Sequence, residues 1–264
     1  MSSKNKSVQL SVSGLSAQIL PDGMSPDGYV LEIGGAEQSH LDLGDPSFIF
    51  YEYLRRIGNV IDLLAAPGDP LRVAHLGAGA LTLVRYVQVT RPGSPQIAVD
   101  IERELPSLVL DALPLPAGSR CQVLVEDARA ALPALTPALG AAPQAIILDI
   151  FSGWSAPEHL ADEGFYREMK EVLDAEGALI INVGDDAGLS FFTAQARSLL
   201  NVFEHLWCLA PTVMLDGKHA GNLVLVASHH ELTADLKTAL IGQGPHPASA
   251  LDTWQVQELI DELS

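Results

Sequence analysis

The chain has 264 residues and carries 15 Lys+Arg against 33 Asp+Glu, a formal net charge of -18. This balance argues against a nucleic-acid partner, whose phosphates require a basic face, and against an anionic membrane surface. With 48% hydrophobic and only 18% charged residues, the composition is that of a globular protein, and its charge suits either a cationic ligand or solubility alone.

The N-terminal part of the chain predicts a small antiparallel β unit. Residues 8–12 alternate apolar and polar side chains, as half-buried strands do, and residues 29–33 form a second apolar strand. Two Pro-Asp-Gly turn signals, which begin at Pro21 and Pro26, lie between these strands. We therefore assign residues 1–45 to an N-terminal β unit and residues 46–264 to a second domain.

The second domain is expected to open with a helix and then to alternate strands and helices. Asp45 is a plausible N-cap with Pro46 in the first helical position, which predicts a helix that ends near Pro67. Apolar segments that predict strands then recur between predicted helices, at residues 71–76, 96–99, 122–125, 145–148, 178–183, 204–209 and 222–227. Such alternation indicates an α/β fold with a mostly parallel, Rossmann-like sheet of the class I methyltransferase type, and the last two strands suggest a hairpin at the sheet edge.

The sequence predicts neither a targeting signal nor a membrane-spanning helix. Residues 1–7 are polar and include two lysines, so no signal peptide is expected. The longest uncharged stretch, residues 130–148, contains three prolines that would interrupt a membrane helix. Cys121 and Cys208 lie far apart and show no metal-ligand spacing, which fits a reducing cytoplasm and predicts no metal site.

A glycine turn follows the first strand of the alternating region. Gly77 and Gly79 allow close approach of a ligand to the backbone, although any strand-to-helix turn also favours glycine. Asp100 ends the next strand, 21 positions beyond Gly79, a separation at which a carboxylate can bind both hydroxyls of a ribose. Position 82 is Thr82 where a dinucleotide fingerprint has its third glycine, so an S-adenosyl ligand is favoured over NAD.

Three further aspartates end predicted strands, where ligands of such sheets bind. Asp127 is placed either to receive the amino group of an adenine or to cap a helix. Asp149 precedes a loop that contains serine and glycine and is placed to face a substrate, and Asp185 ends the following strand. His75 and His159 are further candidate bases, although a lone histidine is more often structural.

The motifs that carry these residues resemble, in order and spacing, those of the spermidine synthases, the polyamine aminopropyltransferases, and in particular a spermidine synthase-like bacterial branch. The resemblance covers roughly residues 29–228, and its segments are Gly34–Gln38, Asp45–Tyr53, Gly77–Gly79, Val99–Asp100, Glu126–Asp127, Asp149–Ser152, Leu160–Tyr166, Gly177–Ile181 and Pro211–Thr212. It implies an enzyme that transfers an aminopropyl group from decarboxylated S-adenosylmethionine to a small amine. It also implies no tightly bound cofactor, nucleoside contacts from Gln38, Asp100 and Asp127, an active-site loop that begins at Asp149, and a homodimer in the cytoplasm.

Two departures from the family pattern bear on catalysis. Ala80 stands where the family has an aspartate that holds the aminopropyl end of the cosubstrate, and Ser152 stands where it has the aspartate that helps deprotonate the attacking amine. Because a free alkyl amine has a pKa of about 10, the reaction needs a proton acceptor at neutral pH, and a serine is a poor one. The resemblance therefore implies weak or altered aminopropyl transfer, with Asp149 and Ser152 at the catalytic position.

Two alternatives stay open on the same scaffold. A methyltransferase that uses S-adenosylmethionine is favoured by the loss of the aspartate at position 80. A non-catalytic protein that keeps the nucleoside pocket is favoured by Ser152. The N-terminal β unit and Gln38 favour the aminopropyltransferase.

Overall fold

The structure is a computed structural model and describes residues 6–150 and 157–263. Ser152, one of the two predicted catalytic residues, lies outside these residues. No helix within the described ranges is both long enough and apolar enough to cross a membrane.

The N-terminal β unit is an antiparallel sheet of four strands in the order β1-β2-β3-β4. Its strands are β1 (Lys6–Gln9), β2 (Ser16–Pro21), β3 (Gly28–Ile33) and β4 (Ala36–Asp42). The pairing of β3 with β4 is interrupted by a bulge, since Glu32 pairs with Glu37 while its neighbour Leu31 pairs with Ser39. Gln38 is therefore the extra residue of β4, and such a bulge turns side chains away from the regular alternation.

The second sheet has eight strands in the order β12-β10-β11-β9-β8-β5-β6-β7. Its strands are β5 (Val73–Leu76), β6 (Pro95–Asp100), β7 (Arg120–Val125), β8 (Ala145–Leu148), β9 (Ala178–Asp185), β10 (His205–Pro211), β11 (Gly221–Ser228) and β12 (Ala248–Leu251). Strands β5 to β9 are parallel, whereas β10, β11 and β12 are antiparallel to their neighbours. The predicted α/β fold, with a class I methyltransferase-type sheet and a small N-terminal β unit, is confirmed.

Eight α-helices accompany the sheets within the described residues, and two of them follow the last strand of the predicted pattern. They are α1 (Glu52–Leu63), α2 (Thr82–Thr90), α3 (Glu104–Ala112), α4 (Leu132–Leu139), α5 (Glu163–Val172), α6 (Ser190–Leu200), α7 (Ala234–Gln243) and α8 (Thr253–Glu262). Short 3-10 helices lie at Glu158–Leu160 and Thr212–Asp216.

Two details of the predicted second domain are wrong. The sheet does not end in the β10–β11 hairpin, because β12 pairs with β10 and forms the edge. Helix α1 starts at Glu52 rather than after Asp45, whose side chain instead accepts hydrogen bonds from the amide and hydroxyl of Ser47 in a local turn. The Asp-Pro pair is therefore a turn signal here, since aspartate caps turns as readily as helices.

The two sheets share a hydrophobic cluster. Leu10, Ile19 and Leu31 of the N-terminal β unit pack with residues of the turn after β5 and of α3, among them Leu81 and Leu105. All of these side chains are nearly inaccessible to solvent. The shared cluster fixes β4 against the carboxyl ends of the parallel strands, which is where the candidate site lies.

Candidate active site

The glycine turn after β5 is in direct contact with the backbone of Asp149. Gly77 has φ +97°, and a Cβ atom there would lie 2.2 Å from the carbonyl oxygen of Asp149. Gly79 has φ +48°, and its Cβ would lie 2.7 Å from Ser39 Oγ on β4. Packing alone therefore requires glycine at both positions. Their contact with a nucleoside stays a prediction.

Asp100 ends β6 beside this turn, as predicted. Its Oδ2 accepts a hydrogen bond from the Ala78 amide at 3.0 Å, and its Oδ1 accepts one from the Glu102 amide at 2.9 Å. Burial raises the pKa of Asp100, although the Glu102 and Ala78 hydrogen bonds oppose this effect. Because each carboxylate oxygen can accept a second hydrogen bond, Asp100 can hold the turn and still accept from two ribose hydroxyls.

Asp127 caps a turn and is also held by a histidine. Its Oδ1 accepts from the Arg129 and Ala130 amides at 2.9 and 3.1 Å, so it caps the turn that leads to α4, whose own cap position is Ala131. Its Oδ2 lies 2.9 Å from His159 Nε2. Burial raises the pKa of Asp127, but the His159 contact and the amide hydrogen bonds outweigh it and lower that pKa. The adenine contact stays a prediction.

Asp149 lies at the carboxyl end of β8, where its side chain is half-buried and held by two donors. Asn182 Nδ2 donates to Oδ1 at 2.8 Å, and the Tyr53 hydroxyl donates to Oδ2 at 3.3 Å. The Asn182 carboxamide is oriented in turn by Asn222, whose Nδ2 donates to Asn182 Oδ1 at 3.0 Å. Burial raises the pKa of Asp149, while the Asn182 and Tyr53 hydrogen bonds lower it. A carboxylate fixed in this way can accept a proton.

Strand β4 forms the wall of the site nearest to α1. Gln38 is exposed at the bulge, next to Ser39, whose Oγ accepts a hydrogen bond from the Ala80 amide at 3.2 Å. Glu37 accepts a hydrogen bond from the Tyr51 hydroxyl at 3.1 Å, across the space between β4 and the start of α1. Gln38 thus lies beside the glycine turn, and its nucleoside contact stays a prediction.

Two other candidates from the sequence have structural roles. His75 is buried in the sheet, where its Nε2 lies 2.9 Å from Gln96 Oε1, and burial lowers its pKa to about 4. Asp185 is also buried, and its Oδ2 accepts from the Phe192 amide at 2.7 Å near the start of α6. His75 is therefore a neutral core residue, and Asp185 stabilises the turn that leads to α6.

Three residues of the Asp149 cluster were not predicted from the sequence as site residues. Asn182 gives a signal that could have been used, because it is a polar residue in the otherwise apolar run at Ala178–Val183. Tyr53 and Asn222 give no such signal, because a tyrosine in a helix and an asparagine at the start of a strand are common. Their roles follow from the way the elements pack.

Comparison with known proteins supports the interpretation of these motifs. No protein-family model matches the sequence. The chain is 27% identical over 169 residues to the polyamine aminopropyltransferase of Chromobacterium violaceum, and the match covers 63% of this chain and 61% of that protein. This chain therefore spans less than two thirds of the length of that relative.

Solved structures extend the likeness over the whole fold. A probable spermidine synthase from Corynebacterium glutamicum superposes with a TM-score of 0.87 at 27% identity, covering 98% of this chain and 94% of that chain. Human methyltransferase-like protein 13, solved in complex with SAH, superposes with a TM-score of 0.52 at 21% identity, covering 80% and 86% of the two chains. The resemblance to the spermidine synthase family is confirmed, and the second match shows the methyltransferase-type fold alone.

Proposed function

We propose that the protein is a transferase that moves an aminopropyl group from decarboxylated S-adenosylmethionine to a small amine. The observation that carries this proposal is the position of Asp149. Its carboxylate is fixed by a hydrogen bond from Asn182, and its backbone contacts the glycine turn beside Asp100. An acceptor for the amine proton and a predicted ribose ligand are thus brought to one edge of the sheet. The names of the relatives support the same reaction class.

The proposed reaction requires an acceptor for one proton and little other chemistry from the protein. The lone pair of the neutral amine attacks the aminopropyl carbon bonded to the sulfonium. The carbon–sulfur bond breaks toward sulfur and releases methylthioadenosine. The new secondary amine loses its extra proton, and Asp149 is placed to accept it. Because the sulfonium is already a good leaving group, catalysis depends on in-line placement and on deprotonation of the amine.

For the nucleoside end of the cosubstrate, we expect Asp100→Ala to weaken methylthioadenosine binding by roughly 1.5–3 kcal/mol, the scale of hydrogen bonds to a charged group. The amides of Ala78 and Glu102 also lose their acceptors in this variant. Thermal stability is therefore expected to fall too. Isothermal titration calorimetry checks the binding, and Asp100→Asn, which keeps one carbonyl acceptor, controls for the loss of stability. Unchanged binding by Asp100→Ala would refute the ribose assignment.

The pH dependence of transfer is expected to respond to Tyr53. Asp149 acts as a base only when it is ionised, so activity falls as the pH drops through its raised pKa. The Tyr53 hydrogen bond lowers that pKa, so Tyr53→Phe is expected to move the acidic limb of the kcat/KM profile to higher pH. Asn182→Ala is expected to move it in the same direction. If both variants keep the acidic limb of the parent, Asp149 is not the titrating base.

One observation favours a second candidate, a methyltransferase that uses S-adenosylmethionine. Ala80 is buried with 2% exposure, and its amide is bonded to Ser39. The turn therefore offers no carboxylate at this position to select a cosubstrate that ends in an ammonium group.

One assay separates the candidate functions. The protein is supplied with a diamine and either decarboxylated S-adenosylmethionine or S-adenosylmethionine, and released methylthioadenosine and S-adenosylhomocysteine are quantified by mass spectrometry. Methylthioadenosine formation that depends on the amine supports aminopropyl transfer, whereas S-adenosylhomocysteine supports methyl transfer. Nucleoside binding without either product would favour the non-catalytic alternative.

We further propose that the protein is a homodimer in the cytoplasm and that a domain boundary lies near residue 45. Size-exclusion chromatography would test the dimer, and limited proteolysis would test the boundary.

A further inference from the structure

Glu37 precedes the part of β4 that passes over the glycine turn. Ser39 bonds the Ala80 amide, and the carbonyl oxygen of His40, the next residue along the strand, accepts a hydrogen bond from Thr82 Oγ1 at 2.8 Å. Because of the bulge, Glu37 pairs with Glu32 while Ser39 pairs with Leu31, so the side chains of Glu37 and Ser39 leave opposite faces of the sheet. Glu37 is therefore connected to the candidate site through Tyr51 rather than through the turn at Ala80.

The carboxylate of Glu37 is held in place but its charge is not neutralised. Its Oε2 accepts the hydrogen bond from Tyr51, and the side chain is exposed. No salt bridge to Glu37 is found in residues 6–150 and 157–263. A bound cation could therefore pair with this carboxylate without displacing a charged protein group.

Aromatic rings connect Glu37 to Asp149. The ring of Tyr51 stacks with that of Tyr53, with centroids 6.5 Å apart and planes 19° apart, and the Tyr53 hydroxyl reaches Asp149. On the other side, the Phe50 ring is 5.5 Å from Tyr51 and 44% exposed. Carboxylates combined with aromatic faces are the groups that recognise alkylammonium ions, through charge pairing and cation–π contact.

We infer that Glu37 and Tyr51 form a subsite for a primary ammonium group of a ligand bound at the Asp149 site. This inference rests on the proposed function, in which two ligands carry such a group. They are the decarboxylated cosubstrate, through its aminopropyl end, and the acceptor diamine, through the end that does not react. The alternative is that the Glu37–Tyr51 hydrogen bond only ties β4 to α1.

The test is isothermal titration calorimetry on the parent, Glu37→Gln and a control, Asp27→Asn. Asp27 is exposed in the turn before β3, at the end of the β3–β4 pair that lies away from Glu37 and Tyr51. Decarboxylated S-adenosylmethionine and putrescine each carry the ammonium, whereas methylthioadenosine lacks it. Glu37→Gln is expected to weaken the binding of decarboxylated S-adenosylmethionine, of putrescine or of both roughly tenfold, on the scale of a charge-assisted hydrogen bond. Binding of methylthioadenosine is expected not to change, and the control is expected to bind all three as the parent does.

The pattern of loss identifies the ligand. A loss confined to the decarboxylated cosubstrate assigns the subsite to its aminopropyl end, and a loss confined to putrescine assigns it to the acceptor. Parent-like binding of both by Glu37→Gln, or an equal loss for methylthioadenosine, would overturn the inference even if the parent transfers aminopropyl groups. If the parent binds these amines through Glu37 but transfers nothing, the inference stands and the proposed function fails. Absence of binding by the parent would overturn both.

Discussion

Replacing Asp149 with asparagine is expected to lower aminopropyl turnover roughly 100- to 10,000-fold, the usual contribution of a general base. The change keeps the size and shape of the side chain and removes the group that accepts the proton. Its carbonyl oxygen can still accept from Asn182, so the cluster that includes Asn222 is expected to stay in place. Steady-state release of methylthioadenosine, measured with saturating amine, gives the effect on kcat.

The same variant is expected to be at least as stable as the parent at neutral pH. Because burial raises the pKa of Asp149, ionising this carboxyl destabilises the folded state as the pH rises from its unfolded to its folded pKa. Asparagine cannot ionise and avoids this penalty. A large loss of turnover without a loss of melting temperature is the expected signature of a residue kept for function rather than for stability.

A neighbouring acid provides the control for this experiment. Asp186 follows β9 at the same edge of the sheet and is exposed, so Asp186→Asn removes a charge from this region without touching the cluster. It is expected to keep the turnover of the parent. Parent-like turnover by Asp149→Asn would show that the proton acceptor is another group.

The fold could be predicted largely because its signals are local. Most of the parallel strands are mainly apolar, with glycine, proline or aspartate near their ends, and the alternation with helices then leaves few topologies. Ala145–Leu148 was predicted with the bounds that the structure gives. Strand β12 was missed because it has only four residues, follows Pro245 and Pro247, and gains its stability from pairing with β10, which is distant in sequence.

The site could be predicted only where a strand end fixes the position of a side chain. Asp100 and Asp149 lie where parallel strands must bring them, so their proximity to the glycine turn followed from the sequence. Tyr53 reaches Asp149 over 96 positions of the chain, and Asn222 reaches Asn182 over 40. Such contacts depend on how α1 and β11 pack, and no spacing rule encodes them.

Replacing Gly77 with alanine is expected to destabilise the folded protein by roughly 3 kcal/mol or more. A left-handed backbone angle by itself costs a non-glycine residue about 1–2 kcal/mol. In addition, the new Cβ would lie 2.2 Å from the carbonyl oxygen of Asp149, a backbone atom that cannot turn away as a side chain can. Either the turn or the end of β8 must move. Urea unfolding, with midpoints compared at equal m-values, measures the loss.

A second glycine separates the two contributions. Gly93 has φ +85° and nothing within 4 Å of a Cβ built on it, so Gly93→Ala carries the backbone strain without the collision. Gly77→Ala is expected to lower the free energy of unfolding by about 2 kcal/mol more than Gly93→Ala does. It is also expected to lose turnover, because moving the Asp149 carbonyl shifts the carboxylate away from Tyr53 and Asn182. Equal destabilisation by the two variants would mean that the turn and β8 can separate freely. In that case Gly77 does not position Asp149, and the glycine is required at this turn only for its backbone angle.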